Sequence, residues 1–133
     1  MDAANIKVVQ DLYAAFGRGD VAGLVTGMTA DIDWQTLGPD KDYPTFGHRQ
    51  GTAAVQEFFA QVAVTEEFSE FSPREFYTSG DKVFVLGSYA GKVKKTGRPF
   101  ACEWAHVFTI AGGKVRKFRE YTDTAQFVAG YRG

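Results

Sequence analysis

Apolar positions recur three or four residues apart from Ala3 to Phe16, at Ile6, Val9, Leu12, Tyr13 and Phe16, and this spacing predicts a helix. Gly17 and Gly19 stop it, and Asp20 caps a short second helix with Val21, Leu24, Val25 and Met28 as its buried stripe. The period then falls to two. Ile32, Trp34 and Thr36 alternate with Asp33 and Gln35, so Asp31–Leu37 reads as a strand. Gly38–Gly51 holds Pro39, Pro44 and three glycines and reads as a long loop, of the kind that often forms a lid or the rim of a site. Helical spacing returns over Thr52–Val64, through Val55, Phe58, Phe59 and Val62.

From Phe68 onward the pattern is strand-like almost to the end. Ser79–Lys82, Lys95–Arg98 and Ala111–Lys114 read as turns that divide it into four runs, among them Phe68–Thr78, Val83–Lys94 and Val115–Thr122. Asp123 and Thr124 can then cap a short terminal helix bearing Phe127, Val128 and Tyr131. The predicted order is helix, helix, strand, helix and a four-stranded meander, with no repeat or linker. One α+β domain over residues 1–133 is expected, its helices on one face of a strongly curved antiparallel or mixed sheet. A helix laid across such a sheet makes a cone, and small or polar residues inside it leave a cavity.

Composition sharpens this picture. The 133 residues include 12 Phe, 6 Tyr and 2 Trp, more ring surface than a core of this size needs, which points to a ring-lined cavity or an apolar interface. Fifteen basic and sixteen acidic residues are well mixed and leave a net charge of −1. With no basic stripe, neither nucleic acid nor an anionic membrane surface is an expected partner. Cys102 is the single cysteine, which excludes an internal disulfide and the Cys-rich metal patterns. The opening residues lack a basic start followed by an apolar run, no stretch approaches ~20 apolar residues, and a cytoplasmic protein is expected. No nucleotide-binding glycine fingerprint occurs, and His48 and His106 have no third ligand at metal-binding spacing. Neither a cofactor nor a metal is expected.

Ile6–Phe16 followed by Gly19-Asp20, then Gly51–Phe59, then Gly113-Lys114-Val115 with Phe118–Asp123, resemble in that order the nuclear-transport-factor-2-like superfamily, and most of all its SnoaL-like and ketosteroid-isomerase-like branches. The resemblance implies the cone fold. It constrains activity far less, because this fold hosts isomerases, cyclases, epoxide hydrolases, dehydratases and non-catalytic binders. Ketosteroid isomerases use a tyrosine and two aspartates, and the matching places here hold Leu12, Thr36 and approximately Ala105; a shift of one residue brings in Tyr13 or Glu103 but never the trio. The C-terminal run also resembles limonene epoxide hydrolase, with Glu120 at its water-activating carboxylate. The arginine and second aspartate of that enzyme have no counterpart between Val85 and Gly91, and Trp34 and Thr36 stand at its first-strand tyrosine and asparagine. SnoaL-type cyclases pair a histidine on one hairpin strand with an acid on the next, and His106 and Glu120 resemble that pair.

His106 and Glu120 are therefore the candidate acid–base pair. A carboxylate beside an imidazole orients it and raises its proton affinity. The competing readings are a histidine satisfied by a neighbouring acid for structural reasons or facing a dimer interface, and a Glu120 in a cross-strand salt bridge with Arg116, Arg98 or another surface base. Trp34, Thr36, Trp104, Phe118, Tyr13, Phe58 and Phe59 are assigned to contact with a small, largely apolar or cyclic ligand. Tyr43, His48 and Arg49 are placed at the mouth, and Asp123 is read as a helix cap. Either an uncharacterised cofactor-independent enzyme of isomerase, cyclase or hydrolase type, or a non-catalytic binding or dimerisation module, fits these residues. A homodimer through the outer sheet face is expected from strands apolar on both faces, Val83, Val85 and Val107 being the residues in point.

Overall fold

The computed structural model describes residues 2–133. The elements are α1 (Asp2–Gly17), α2 (Val21–Thr26), β1 (Met28–Thr36), β2 (Gly47–Gln50), α3 (Thr52–Thr65), β3 (Glu66–Ser79), β4 (Lys82–Val93), β5 (Pro99–Ala111), β6 (Lys114–Thr122) and α4 (Thr124–Arg132). The predicted α+β order holds. The strands form one six-stranded sheet in the order β2-β1-β6-β5-β4-β3. Every neighbouring pair is antiparallel except β1 and β6, which run parallel and make the sheet mixed.

Two departures from the sequence reading go beyond a residue or two at an element's end. Met28 begins β1 instead of closing α2, because Gly27 caps the helix with its N–H on the carbonyls of Leu24 and Val25. The presumed loop before α3 contains β2, four residues that pair with β1 from Asp33 to Thr36. Its sequence, Gly-His-Arg-Gln, shows no apolar alternation, so no strand signal could emerge.

Curvature has local causes. β3 carries irregularities of register at Phe68/Glu70 and Pro73/Glu75, and its proline sits on the edge strand, where a missing N–H disrupts least. In β4, a Cβ added to Gly91 would lie 2.1 Å from the Glu67 carbonyl oxygen, and one on Gly87 would lie 2.5 Å from both the Ser72 carbonyl and the Trp104 ring. These two glycines let β3 and Trp104 close onto β4.

The concave face carries the core. Ile32 and Trp34 of β1, Val83, Val85 and Tyr89 of β4, Trp104 and Phe108 of β5 and Phe118 of β6 meet Val9, Leu12, Val55 and Phe58 of the helices. Val83 and Val85 are fully buried here, so of the three residues named for a sheet dimer only Val107 stands on the outer face. The run Val83-Phe84-Val85-Leu86 is apolar in both phases, so its pattern cannot say which side faces in. The outer face instead presents Tyr77, Phe84, Leu86 and Tyr121, with Val107 half-buried among them. α4 begins as predicted, with the Asp123 side chain accepting from the Gln126 N–H. Its Phe127 packs edge-on to Tyr43, which is 1% exposed and is therefore a core residue, not part of a rim. No helix among the described residues is long and apolar enough to cross a membrane.

Candidate functional site

Between the helices and the concave face lies a cavity of about 70 Å³. Rings make most of its wall: Trp34 and Phe118 stack face to face at 3.8 Å, and Phe58 and Phe59 close against Trp34 at 5.6 and 5.5 Å. Lysine and arginine are absent from the lining, so its polar character comes from carboxyl, imidazole and hydroxyl groups.

Two of these stand opposite each other on the β5–β6 hairpin. The register pairs His106 with Glu120, and β6 pairs Glu120 in turn with Thr36 of β1. His106 Nε2 lies 2.9 Å from Glu120 Oε2, and His106 Nδ1 lies 2.8 Å from the Tyr13 hydroxyl of α1. Burial, and then the charge of Glu120, push the Tyr13 phenol far above its ordinary range, so it keeps its proton and acts as donor. With Tyr13 donating to Nδ1, the neutral imidazole carries its proton on Nε2 and donates it to Glu120. Trp104 stacks on the imidazole at 3.8 Å, which fixes the ring plane.

Glu120 is held at two further points. Thr36 Oγ1 lies 3.4 Å from Oε1, and the Tyr89 hydroxyl lies 3.3 Å from Oε2 and 2.7 Å from Thr122 Oγ1. Tyr89 is also pushed up by burial and by Glu120, so it remains a donor. At 14% side-chain exposure, against 5% for His106, Glu120 is the member of the pair more open to the cavity.

Residues 9–118 match the sequence profile of the SnoaL-like domain. The chain belongs to the SnoaL-like family. This SnoaL-like chain is similar to an NTF2-like protein from Burkholderia xenovorans LB400, with 34% identity over 98% of both chains and a TM-score of 0.90. It is also similar to an NTF2-like protein of unknown function from Burkholderia pseudomallei K96243, with 26% identity over 98% of both chains and a TM-score of 0.89. A third similar structure is TerC co-crystallised with polyporic acid, at 28% identity over 98% of this chain and 99% of that one, with a TM-score of 0.86. No protein of curated function matches.

Of the residues that sequence reasoning assigned to the site of this SnoaL-like domain, Glu120, His106, Tyr13, Trp34, Phe118, Phe58 and Phe59 reach the cavity wall. Thr36 and Trp104 do not. Thr36 stands behind Glu120, and Trp104 lies beneath the imidazole, because its place two residues before His106 on the same strand face puts ring on ring. The predicted mouth residues also fall elsewhere. His48 is exposed and pairs with Asp33, whose carboxyl is held below its ordinary range chiefly by Arg119 and also by His48. Arg49 lays its guanidinium over the Phe58 ring at 5.0 Å and donates to the carbonyls of Pro44 and Thr45, tying the preceding loop to α3. Among the described residues no group of three His, Cys, Asp or Glu is placed to hold a metal ion.

Sequence reasoning missed Tyr89 and Glu66. Tyr89 follows Val83 and Val85 in the same phase, a signal that alternation could have supplied. Glu66, buried at the start of β3, lines the cavity and accepts from the Tyr43 hydroxyl at 2.7 Å. Counting back by two from Phe68 puts Glu66 on the Phe68 side of the strand, but a Glu66-Glu67 pair at a helix end looks solvated.

Proposed function

We propose that this SnoaL-like chain binds a small, largely apolar ring compound in the cavity and moves a proton at it without a cofactor, Glu120 acting as base. The observation that carries this reading is a carboxylate on the wall of a ring-lined cavity, with Oε2 held 2.9 Å from His106 Nε2. In this scheme Glu120 takes a proton from a carbon beside a carbonyl and returns it to another position, which is isomerase-type chemistry. His106, oriented by Tyr13 and Trp104, positions the carboxylate and steadies its charge. A positioned base of this kind is worth roughly 10²–10⁴ in rate. That the similar TerC was co-crystallised with polyporic acid supports a small-molecule ligand for this chain.

A second reading, a binder without chemistry, draws support from the closure of the network, since both ring nitrogens of His106 already have partners. The two part company in D₂O. With 2-tetralone as probe, the base reading expects the wild type to speed exchange of the ketone's α-protons, followed by NMR, and Glu120→Gln to fall to the buffer rate. Equal exchange with and without Glu120 refutes it.

We further propose a single cytoplasmic domain that pairs as a homodimer through the outer sheet face. Phe84, Leu86 and Tyr121 support it, being 37%, 42% and 48% exposed on one surface.

A further inference from the structure

Glu66 is the cavity's other carboxyl group, and the proton transfer just proposed has no use for it. It follows α3 directly, on β3, at the edge of the sheet opposite β2. Both of its hydrogen bonds fall on one oxygen: Oε2 accepts from Tyr43 at 2.7 Å and from Thr45 Oγ1 at 3.4 Å. Oε1 takes no hydrogen bond from the described residues and is not among their fully sealed polar atoms, and Glu66 lines the cavity, which leaves Oε1 as its oxygen open to a ligand. None of the ion pairs among the described residues includes Glu66. The titratable groups gathered around it are Tyr43 of the loop before β2, Tyr131 of α4 beside Tyr43, Tyr89 of β4 and Glu120 of β6. Not one of them supplies a positive charge. A buried carboxyl without a countercharge is cheapest in the neutral form, which carries an O–H donor. Tyr43 and Thr45 can satisfy Oε2 in that form, and Oε1 then holds the free donor.

We propose that Glu66 is a second polar pole of the cavity, a carboxylic acid that donates a hydrogen bond from Oε1 to an oxygen acceptor on the ligand. The site then selects compact ring compounds with two oxygen functions, one facing Glu120 and His106, the other a carbonyl facing Glu66. This rests on the reading of the cavity as a ligand site, and it adds the class of ligand.

Two probes of nearly the same shape test the second pole: 4-hydroxyacetophenone, with a carbonyl opposite its phenol, and 4-isopropylphenol, with a hydrocarbon there. Calorimetric titration below pH 7 is expected to show the ketone binding about tenfold more tightly to the wild type, the worth of one buried hydrogen bond. The preference is expected to fade as the pH passes about 7, where Glu66 loses its proton. Glu66→Gln, whose amide still donates, keeps the preference on both sides of that pH, and with the same probe it cancels the probe's own ionisation. Glu66→Leu removes the preference throughout. Were Glu66 only an anchor for the Tyr43 loop, these variants would alter stability and leave the ratio of affinities unchanged. Equal affinities in the wild type, a ratio that Glu66→Leu does not move, or failure of both probes to bind at millimolar concentration overturns the proposal. The comparison of wild type with Glu66→Gln stands even where Glu66→Leu folds poorly. A ketone preference without tetralone exchange supports this pole and refutes only the Glu120 chemistry; exchange without the preference does the reverse.

Discussion

Replacing Glu66 by Gln is expected to remove one pH-dependent component of stability. Burial, the largest influence on this carboxyl, pushes it from its ordinary 4.5 up to about 7, against the opposing hydrogen bonds from Tyr43 and Thr45. Between those two values the folded chain holds a proton that the unfolded chain has released. The native state therefore binds more protons in this window, and raising the pH destabilises it. The contribution is fully present below 4.5 and is lost as the pH rises through about 7. At about 1.4 kcal/mol for each tenfold change in proton affinity, the gap between 4.5 and about 7 corresponds to roughly 3 kcal/mol. Gln is neutral throughout and can keep the Tyr43 bond, so its stability lacks this decline. Urea unfolding followed by the fluorescence of Trp34 and Trp104, repeated across the window, measures both chains. Subtracting one from the other cancels every other titrating group. The expected difference moves in favour of Glu66→Gln as the pH rises, by a few kcal/mol in total. Parallel profiles for the two chains would refute a buried, proton-holding Glu66.

Tyr13→Phe leaves His106 Nδ1 without its donor; it is expected to cost about 1–3 kcal/mol in urea unfolding and to slow tetralone exchange, while a variant that matches wild type in both argues against the orienting role of Tyr13. Gly87→Ala drives a methyl group into the Ser72 carbonyl and the Trp104 ring, each 2.5 Å away, and is expected to destabilise by about 1–3 kcal/mol. Unchanged thermal unfolding there would count against the close seating of β3 on β4. Leu86→Lys puts a charge on the outer sheet face, and sedimentation velocity is expected to show dimers giving way to monomers; a wild type that is already monomeric at micromolar concentration removes the dimer proposal.

Elements with a single buried phase were legible in the sequence. The stripe Val9, Leu12 and Phe16 fixed α1, and the alternation of Ile32, Trp34 and Thr36 fixed β1, because each offers one apolar face. The turn glycines Gly112 and Gly113 set the hairpin that brings His106 across from Glu120, and that turn is a local signal. Legibility failed where packing overrides local pattern. Tyr43 and Phe46 sit among prolines and glycines, yet both are buried because α4 returns from the far end of the chain to cover them. Trp104 looked like lining because its phase is inward, but the adjacent His106 ring occupies the space in front of it. Glu66 stayed hidden because a charged residue beside another gives no local hint that a loop folds over it.

The parallel contact between β1 and β6 bears on how the molecule assembles. His106 and Glu120 are 14 residues apart within one hairpin and can meet early, whereas Thr36 and Glu120 are 84 residues apart and Tyr13 and His106 are 93. Closing such long loops is slow compared with forming a hairpin. A chain emerging from the ribosome therefore exhibits the pair only after its last strand is free, and the amino-terminal segments must wait to dock on it. Truncation before Phe118 in β6 removes both Glu120 and the ring on which Trp34 stacks, so a half-made protein has neither the carboxylate nor that wall of the cavity.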